Sequence, residues 1–313
     1  MNENGNIKPI VVENLKRTFG DFVAVNDITF NVSNGEIFGF LGPNGSGKST
    51  TIKMLTGLLM PSGGSALVAG IDVSKDPEEV RHRIGYMSQR FNLYQSLSAI
   101  ENLEFYADIY EVPKNDMRSR IDDTITRLDL GAYRNQLARD LPAGIKQRLA
   151  LGVSYIHKPE IFFLDEPTAG VDPSQRRIFW DWIYDLSASG AAIFVTTHYM
   201  DEVEHCSRVG LISEGNLIAI GTTDMLKMKA AGGIPVIVEK IPETPEIEIP
   251  VKIQKKFQMV RENDTWRTIV SDNDSFDDLK RRLKEESIPF IAKKELPSMD
   301  DVFIALMKRG VEQ

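Results

Sequence analysis

The 313-residue sequence predicts an α/β fold with a doubly wound sheet, followed by a smaller α+β domain. Two short, uninterrupted apolar runs, at residues 37–41 and 161–164, have the composition of strands that are buried on both faces. The first run leads through a glycine-rich loop into a helical pattern at 48–59, and strands alternate with helices from residue 161 onward. Because parallel strands need crossover connections, this alternation indicates a doubly wound sheet.

The N-terminal part of the chain has a different pattern. Short apolar runs alternate with turns over the first 75 residues, which predicts an antiparallel β portion beside the core. Apolar side chains then recur at helical spacing between residues 98 and 140, which predicts an inserted helical subdomain. The short apolar runs are 10–15, 23–25, 28–32, 37–41 and 66–68.

A change of composition marks a boundary near residue 230. A Gly-Gly pair at 232–233 and a proline-spaced acidic tract at 241–250 interrupt the strand and helix patterns. We therefore predict a large domain at 8–230, a linker at 231–250 and a small α+β accessory domain at 251–313.

The glycine-rich loop after the first buried strand fits the phosphate-binding pattern G-x-x-x-x-G-K-[ST]. Its glycines let successive backbone N–H groups turn toward phosphate oxygens, Lys48 would reach the β- and γ-phosphates, and the Ser49 hydroxyl would ligate Mg²⁺. A chance match on a surface loop is the alternative, and the strand before and the helix after the loop weigh against it. The predicted phosphate-binding residues are Gly42, Pro43, Asn44, Gly45, Ser46, Gly47, Lys48, Ser49 and Thr50.

Two carboxylates, Asp165 and Glu166, follow the second buried strand. Open α/β sheets bind their ligands at the carboxyl ends of the strands. We predict that Asp165 holds Mg²⁺ and that Glu166 accepts a proton from an attacking water. The alternative is a strand that ends in two solvated acids; the breaker-rich loop at 167–173 and the amphipathic helix at 174–186 favour a site.

Over residues 8–230 the order of the motifs resembles the nucleotide-binding subunits of ATP-binding cassette (ABC) transporters. The resemblance implies a P-loop NTPase core, ATP and Mg²⁺ as ligands, ATP hydrolysis, an integral membrane permease as partner, and a second cassette in a homodimer or heterodimer. The motifs that carry it are Walker A at 42–50, a Q-loop at 86–89, Walker B at 161–166, a D-loop at 169–172 and an H-switch after the strand 192–197.

The resemblance also implies roles for individual residues. Glu166, His198 and Gln89 would be catalytic, and Gln89 would join Ser49 and Asp165 around Mg²⁺. Phe19 would stack on adenine, while Gly144 and Asp172 would contact nucleotide. Simpler interpretations remain for three of them: His198 as a solvated loop residue, Gln89 as a cap of its segment, and Phe19 as packing of a hairpin.

The signature motif departs from the family pattern. Residues 141–145 read Leu-Pro-Ala-Gly-Ile where family members carry Leu-Ser-Gly-Gly-Gln, a loop that closes over the γ-phosphate held by the opposing subunit. Pro142 has neither a hydroxyl nor an N–H, and Ala143 adds a Cβ, whereas Gly144 and a helix expected to start near Ile145 remain. We predict weakened closure; the alternatives are a partner cassette with a complete signature, or a soluble or regulatory ATPase with weak turnover.

The composition restricts the location and the partners. A net charge of -8 and a pI near 5.2 argue against a nucleic-acid backbone as the main ligand, and one cysteine suits a reducing compartment. We found neither a leader nor a run of 18 apolar residues. We therefore expect a cytoplasmic chain, peripheral on the cytoplasmic face of the membrane through its permease partner. A cassette ATPase that remodels a ribosome or DNA would usually carry tandem cassettes or a long coiled-coil insertion.

Two further segments bear on the partner. In the family, the helical subdomain and the Q-loop form a groove for a coupling helix of the membrane subunit, and Phe91, Leu93 and Tyr94 are expected to line it, although core packing explains them almost as well. The stretches 197–204 and 296–306 resemble cassette subunits that work with ABC-2-type membrane partners, many of them exporters.

Overall fold

The computed structural model describes residues 8–89, 92–241, 248–262, 265–286, 288–295, 297–300, 302–303 and 306. It divides into two compact units, Met1–Leu217 and Ile218–Gln313, so the division lies earlier than the predicted boundary at residue 230. Phe91 and part of the segment 296–306 lie outside the described residues.

The first unit contains an antiparallel sheet, a parallel sheet and the helices between their strands. Its elements in chain order are β1 (Ile10–Phe19), β2 (Phe22–Val32), β3 (Ile37–Leu41), α1 (Lys48–Leu55), β4 (Gly63–Val68), β5 (Ile71–Asp72), α2 (Pro77–Arg83), β6 (Ile84–Met87), α3 (Ala99–Ile109), α4 (Lys114–Arg127), α5 (Ala143–Tyr155), β7 (Ile161–Asp165), α6 (Pro173–Ala188), β8 (Ala192–Thr197) and β9 (Arg208–Ser213), and β10 (Asn216–Gly221) crosses the division.

The central sheet has the strand order β10-β9-β3-β8-β7-β6, and the pairings of β3 with β8 and β9, of β7 with β8, and of β6 with β7 are parallel. Every residue of β3, β7 and β8 is buried, as expected for strands covered on both faces. These strands direct their carboxyl ends to one edge of the sheet, which carries the candidate site.

The antiparallel sheet, with the order β2-β1-β4-β5, packs against this core through aromatic rings. The ring of Phe194 on β8 lies 5.7 Å from the ring of Phe30 on β2, and 5.7 and 5.3 Å from those of Phe38 and Phe40 on β3. Offset pairs at this spacing each stabilise a core by about 1 kcal/mol beyond their buried area. The cluster therefore holds the two sheets of the first unit together.

The helices between Gln89 and β7 begin with a capping box. The Ser98 hydroxyl accepts from the Glu101 N–H, and the Glu101 carboxylate accepts from the Ser98 N–H at 2.7 Å. Asn102 is fully buried and bonds the backbone of Tyr94 in both directions, at 2.8 and 3.1 Å. The segment after the Q-loop is therefore tied to α3. Leu93 is buried and Tyr94 is half exposed, so Leu93 is a core residue and Tyr94 remains available as a groove residue.

Two predicted boundaries are wrong. Helix α5 begins at Ala143, with Pro142 as its N-cap residue, rather than near Ile145. Helix α1 ends at Leu55 rather than at residue 59, because Gly57 has φ of +67° and leaves the helical conformation. Within the described residues, no helix combines the length and the apolar character that crossing a bilayer requires.

The second unit folds around its own antiparallel sheet, with the order β12-β13-β11-β14. Its core includes Val236 and Val238 of the sheet and Leu279 and Leu283 of a covering helix. The elements are α7 (Thr223–Ala231), β11 (Ile234–Lys240), α8 (Val251–Lys256), β12 (Val260–Glu262), β13 (Thr265–Val270), α9 (Asn273–Glu285) and β14 (Phe290–Lys294).

The predicted linker at 231–250 is wrong for residues 234–240, which form β11 and pair with β13 and β14. The reason lies in the side chains: Ile234, Val236 and Val238 alternate with less buried neighbours, and the sheet buries all three. The Gly-Gly pair precedes this strand and ends α7, with Gly232 in the left-handed region at φ +76°.

Candidate functional site

The phosphate-binding loop joins β3 to α1 and is closely surrounded by backbone. A Cβ on Gly42 would lie 2.2 Å from the carbonyl oxygen of Ile212, and a Cβ on Gly47 would lie 2.6 Å from that of Ala24. Gly47 also has φ of +109° and is the N-cap residue of α1. Only glycine fits these two positions, so the loop presents its backbone N–H groups at a helix N-terminus, where anions bind.

Lys48, the first residue of α1, is 4% exposed. Its Nζ donates to the carbonyl oxygens of Gly42 at 2.8 Å and Pro43 at 3.1 Å. It also lies 3.2 Å from Oε1 of Glu166. The lysine therefore connects the loop with the acid that follows β7, and its role toward phosphate stays a prediction.

The carboxylate of Asp165 lies next to the Ser49 hydroxyl, with 3.2 Å between Oγ and Oδ1. Thr196 on the neighbouring strand β8 donates its hydroxyl to the same Oδ1 at 2.6 Å. Burial raises the pKa of Asp165 above its ordinary value, and the hydrogen bonds from Thr196 and Ser49 counteract part of that rise. Hydroxyl and carboxylate oxygens are the donors that Mg²⁺ prefers, so these two residues fit that ion.

Three side chains of the site contact the carboxylate of Glu166. Its Oε2 accepts from Nε2 of Gln89 at 3.1 Å and lies 3.1 Å from Nδ1 of His198, while Lys48 contacts its Oε1. Its backbone has φ of +48°, which is unusual for a residue with a long side chain and costs roughly 1–3 kcal/mol. Two hydrogen bonds hold this conformation, since its N–H donates to the carbonyl and to the hydroxyl of Thr196 at 3.1 and 3.0 Å.

The structure thus brings together the predicted residues Lys48, Ser49, Gln89, Asp165, Glu166 and His198. It adds Thr196, which the sequence reasoning missed. The strands 161–165 and 192–197 were both predicted, and parallel pairing of Asp165 with Thr196 would have indicated this hydroxyl. Around the loop, Pro43, Asn44 and Gly45 are exposed, Gly42, Ser46, Gly47 and Lys48 are buried, and Ser49 and Thr50 are half-buried.

The signature residues form a second group with the D-loop. Gly144 and Asp172 line one cavity of about 260 Å³ between the start of α5 and the start of α6. Asp172 accepts from the N–H of Gln175 at 3.1 Å, and a Cβ on Gly144 would lie 3.0 Å from the Gln175 side chain. Pro142 supplies no side-chain hydrogen bond to the N-terminus of α5. The N-terminus of α5 therefore has no capping hydroxyl, as expected from the sequence.

Phe19 lies at the end of β1, opposite Phe22 across the hairpin. Its side chain is 47% exposed, and the guanidinium of Arg17 lies 4.5 Å from its ring centroid. An exposed ring with a cation on one face suits stacking on a planar ligand as well as hairpin packing. Its role toward adenine stays a prediction.

Comparison with known proteins agrees with this geometry. Residues 25–169 match the family model described as ABC transporter. The chain is 46% identical over 222 residues to "Probable multidrug ABC transporter ATP-binding protein YbhF" of Escherichia coli, covering 71% of this chain and 38% of the relative. It is 36% identical over 221 residues to "Linearmycin resistance ATP-binding protein LnrL" of Bacillus subtilis, covering 70% and 71%. The chain belongs to the ATP-binding proteins of ABC transporters.

The fold of this ABC cassette is also confirmed. The structure of cbiO1 from Clostridium perfringens, described as part of the ABC transporter complex cbiONQ, is 29% identical, with a TM-score of 0.64 over 70% of this chain and 90% of that one. The ABC ATPase core with its P-loop is therefore established, and ATP is the nucleotide that such a domain binds. The matched region spans little more than a third of the Escherichia coli relative.

Proposed function

We propose that this ABC protein hydrolyses ATP with Glu166 as general base and that hydrolysis drives an exporter of the ABC-2 type. The observation that carries the proposal is the convergence of Lys48, Gln89 and His198 on the Glu166 carboxylate. A carboxylate at the end of a central strand, surrounded by a lysine, an amide and an imidazole, suits the orientation and deprotonation of a water beside a phosphoryl group.

Each residue of the site has a task in this proposal. Lys48 and the N–H groups of the loop bind phosphate oxygens, while Gln89 and His198 orient the water and the transferring group relative to Glu166. Mg²⁺, held by Ser49 and Asp165 with Gln89 near them, would neutralise phosphate charge when bound. Thr196 holds Asp165 and the backbone of Glu166 in place, and Phe19 would stack on adenine.

Two partners complete the proposal. Two cassettes would close on two nucleotides, with Gly144 and Asp172 at the contact, and an integral membrane permease would take up the motion. The names of the relatives, multidrug transporter and linearmycin resistance protein, support export of drugs. In this proposal the chain lies on the cytoplasmic face of the membrane through its permease, and residues 251–313 belong to an accessory domain.

A second candidate function is a regulatory cassette with weak turnover. The structural observation in its favour is the start of α5, where Pro142 offers no hydroxyl to a helix N-terminus that would face the γ-phosphate of the opposing subunit. The loss of a charge-assisted hydrogen bond there would slow hydrolysis roughly 10- to 100-fold.

Hydrolysis and binding by a Glu166→Gln variant test the proposal. Glutamine keeps the shape of the side chain, and its single amide oxygen can still accept from Lys48, but it cannot accept the proton, so we expect hydrolysis to fall at least about 100-fold while ATP binding changes less than about threefold. Glu160→Gln removes the same charge from an exposed position just before β7 and serves as the control. Brisk turnover in Glu166→Gln would remove Glu166 from its role.

A further inference from the structure

Glu202 is a buried carboxylate that the mechanism above does not use. It lies four residues after His198, in the short 3₁₀ turn Asp201–His205, and it is 1% exposed. An ionised side chain at such depth is costly unless it is hydrogen-bonded and paired. Its partners therefore indicate what the fold gains by keeping it.

Those partners come from three separate segments of the site. Oε2 of Glu202 accepts from the hydroxyl of Thr197 at 2.6 Å, and Oε1 accepts from the hydroxyl of Thr168. Nε of Arg176, in the first turns of α6, lies 3.6 Å from Oε1. Thr168 and Thr197 are themselves fully buried, so neither hydroxyl can turn to water instead.

Two of these segments, those of Thr197 and Thr168, lead directly to residues of the proposed site. Thr197 precedes His198, and its Oγ1 also accepts from the N–H of Tyr199 at 2.9 Å, so the backbone is held on both sides of the imidazole. Thr168 is two residues after Glu166, and its carbonyl accepts from Val171 N–H in the D-loop at 3.2 Å. One carboxylate thus joins the turn that carries His198 to the loop that links Glu166 with the D-loop.

We propose that Glu202 is a positioning residue, which couples the placement of His198 to that of the D-loop through its hydrogen bonds to Thr197 and Thr168. This inference rests on the proposed function, since it assigns a purpose to the placement of His198. Glu202 touches neither nucleotide nor the reacting atoms in this assignment. It fixes the distance between two loops that must both be in place when the cassette turns over.

The hydrogen bonds that join Thr197 to Thr168 through Glu202 are called the tether below, and removal of the Glu202 carboxylate tests it. We expect Glu202→Ala to lower kcat roughly 10- to 100-fold with the ATP KM within about threefold, because Lys48 and the phosphate loop are not held by Glu202. Glu202→Gln should recover most of the rate, since its amide can accept from one threonine hydroxyl and donate to the other. Asp201→Asn is the matched control, a neighbouring carboxylate that is 72% exposed and pairs with Arg176 at 3.3 Å.

The coupling itself is tested by a double-mutant cycle. Thr168→Val should lower kcat in the wild-type background but change it less than about twofold when Glu202 is already alanine, because the tether is then absent. If Glu202→Ala does not fold, the kcat values of Thr168→Val and Thr197→Val test the proposal instead. Each of these substitutions keeps the shape of its side chain and removes one hydrogen bond to Glu202. The proposal is overturned if the losses of kcat in Glu202→Ala and Thr168→Val add fully in the double variant. It is also overturned if Glu202→Gln recovers no rate relative to Glu202→Ala.

A measurement that needs no ATP hydrolysis distinguishes the positioning role of Glu202 from the proposed function of the chain. The imidazole signals of His198, followed by NMR in chain labelled at its four histidines, should shift or broaden in Glu202→Ala and Thr197→Val but not in Asp201→Asn. If wild-type chain shows no hydrolysis that depends on Glu166, the proposed function fails. The His198 signals then still test whether Glu202 positions His198. Unmoved His198 signals, or variants with the kcat of wild type, would overturn the positioning role alone.

Discussion

Thr196→Val removes one hydroxyl from the centre of the site and nothing else, because valine has almost the same shape. Two hydrogen bonds are lost: the donation to Asp165 at 2.6 Å and the one that Thr196 Oγ1 accepts from Glu166 N–H at 3.0 Å. The Glu166 N–H keeps its bond to the Thr196 carbonyl at 3.1 Å, so the main loss is at Asp165. A hydrogen bond to a buried charged group contributes about 1.5–3 kcal/mol, and we expect the free energy of unfolding to fall by about 2 kcal/mol.

The same substitution changes how activity depends on pH. The bond from Thr196 lowers the pKa of Asp165 against the effect of burial, so its loss raises that pKa further. In the proposed function Asp165 is ionised when it holds Mg²⁺, so we expect the acid limb of kcat/KM to move to higher pH in the variant.

Urea unfolding at pH 7 and hydrolysis rates between pH 5 and 8 would measure both effects. Thr126→Val on α4 removes an exposed hydroxyl that donates to the backbone carbonyl of Asp122 and should change stability by less than about 0.5 kcal/mol. A Thr196→Val chain as stable as wild type, with its acid limb in the same place, would refute the argument that this hydroxyl supports Asp165.

Three further predictions concern other parts of the first unit. Restoration of the signature by Pro142→Ser with Ala143→Gly should raise hydrolysis by the isolated chain roughly 10- to 100-fold, and an unchanged rate would mean that closure is not limited there. Burial lowers the pKa of His157 to about 4, so the folded chain should lose up to about 3 kcal/mol of stability as pH falls from 6.5 to 4, measured by urea unfolding; His157→Phe should lack this loss. Gly42→Ala forces a Cβ to within 2.2 Å of a backbone oxygen of β9 and should lower the unfolding free energy by about 3 kcal/mol, whereas Gly131→Ala, where the Cβ meets open space, should be nearly neutral by the same assay.

The fully buried strands were the most predictable part of the fold. Strands β3, β7 and β8 consist largely of consecutive apolar residues, and short runs of this kind next to turn signals are typical of strands buried on both faces. Strand β2 was predicted as two pieces, because Asp27 interrupts its pattern; in the structure Asp27 adopts φ of +54° beside Asn14 at φ +50°, and the ladder continues past this irregularity. Polar residues in a bulge look like a turn when the partner strand is unknown.

The site was predictable as far as its residues are contiguous in the chain. The phosphate loop and the pair Asp165 and Glu166 follow from local spacing alone. The roles of Thr196 and Glu202 depend on contacts with segments 30 or more residues away, and no local pattern indicates them. The residues of strand β11 were assigned to a linker for a related reason, since prolines and acids around them resemble a linker until β13 and β14 pair with the strand.

Capture of the tagged Glu166→Gln chain from detergent-solubilised membranes in the presence of ATP tests the proposed link to a membrane exporter most directly. The variant should keep nucleotide bound and hold its partners, which are then identified by mass, with a sample lacking ATP as the control. We expect a membrane protein with several spans, retained more strongly with ATP. Capture of ribosomal or DNA-bound proteins alone would contradict it.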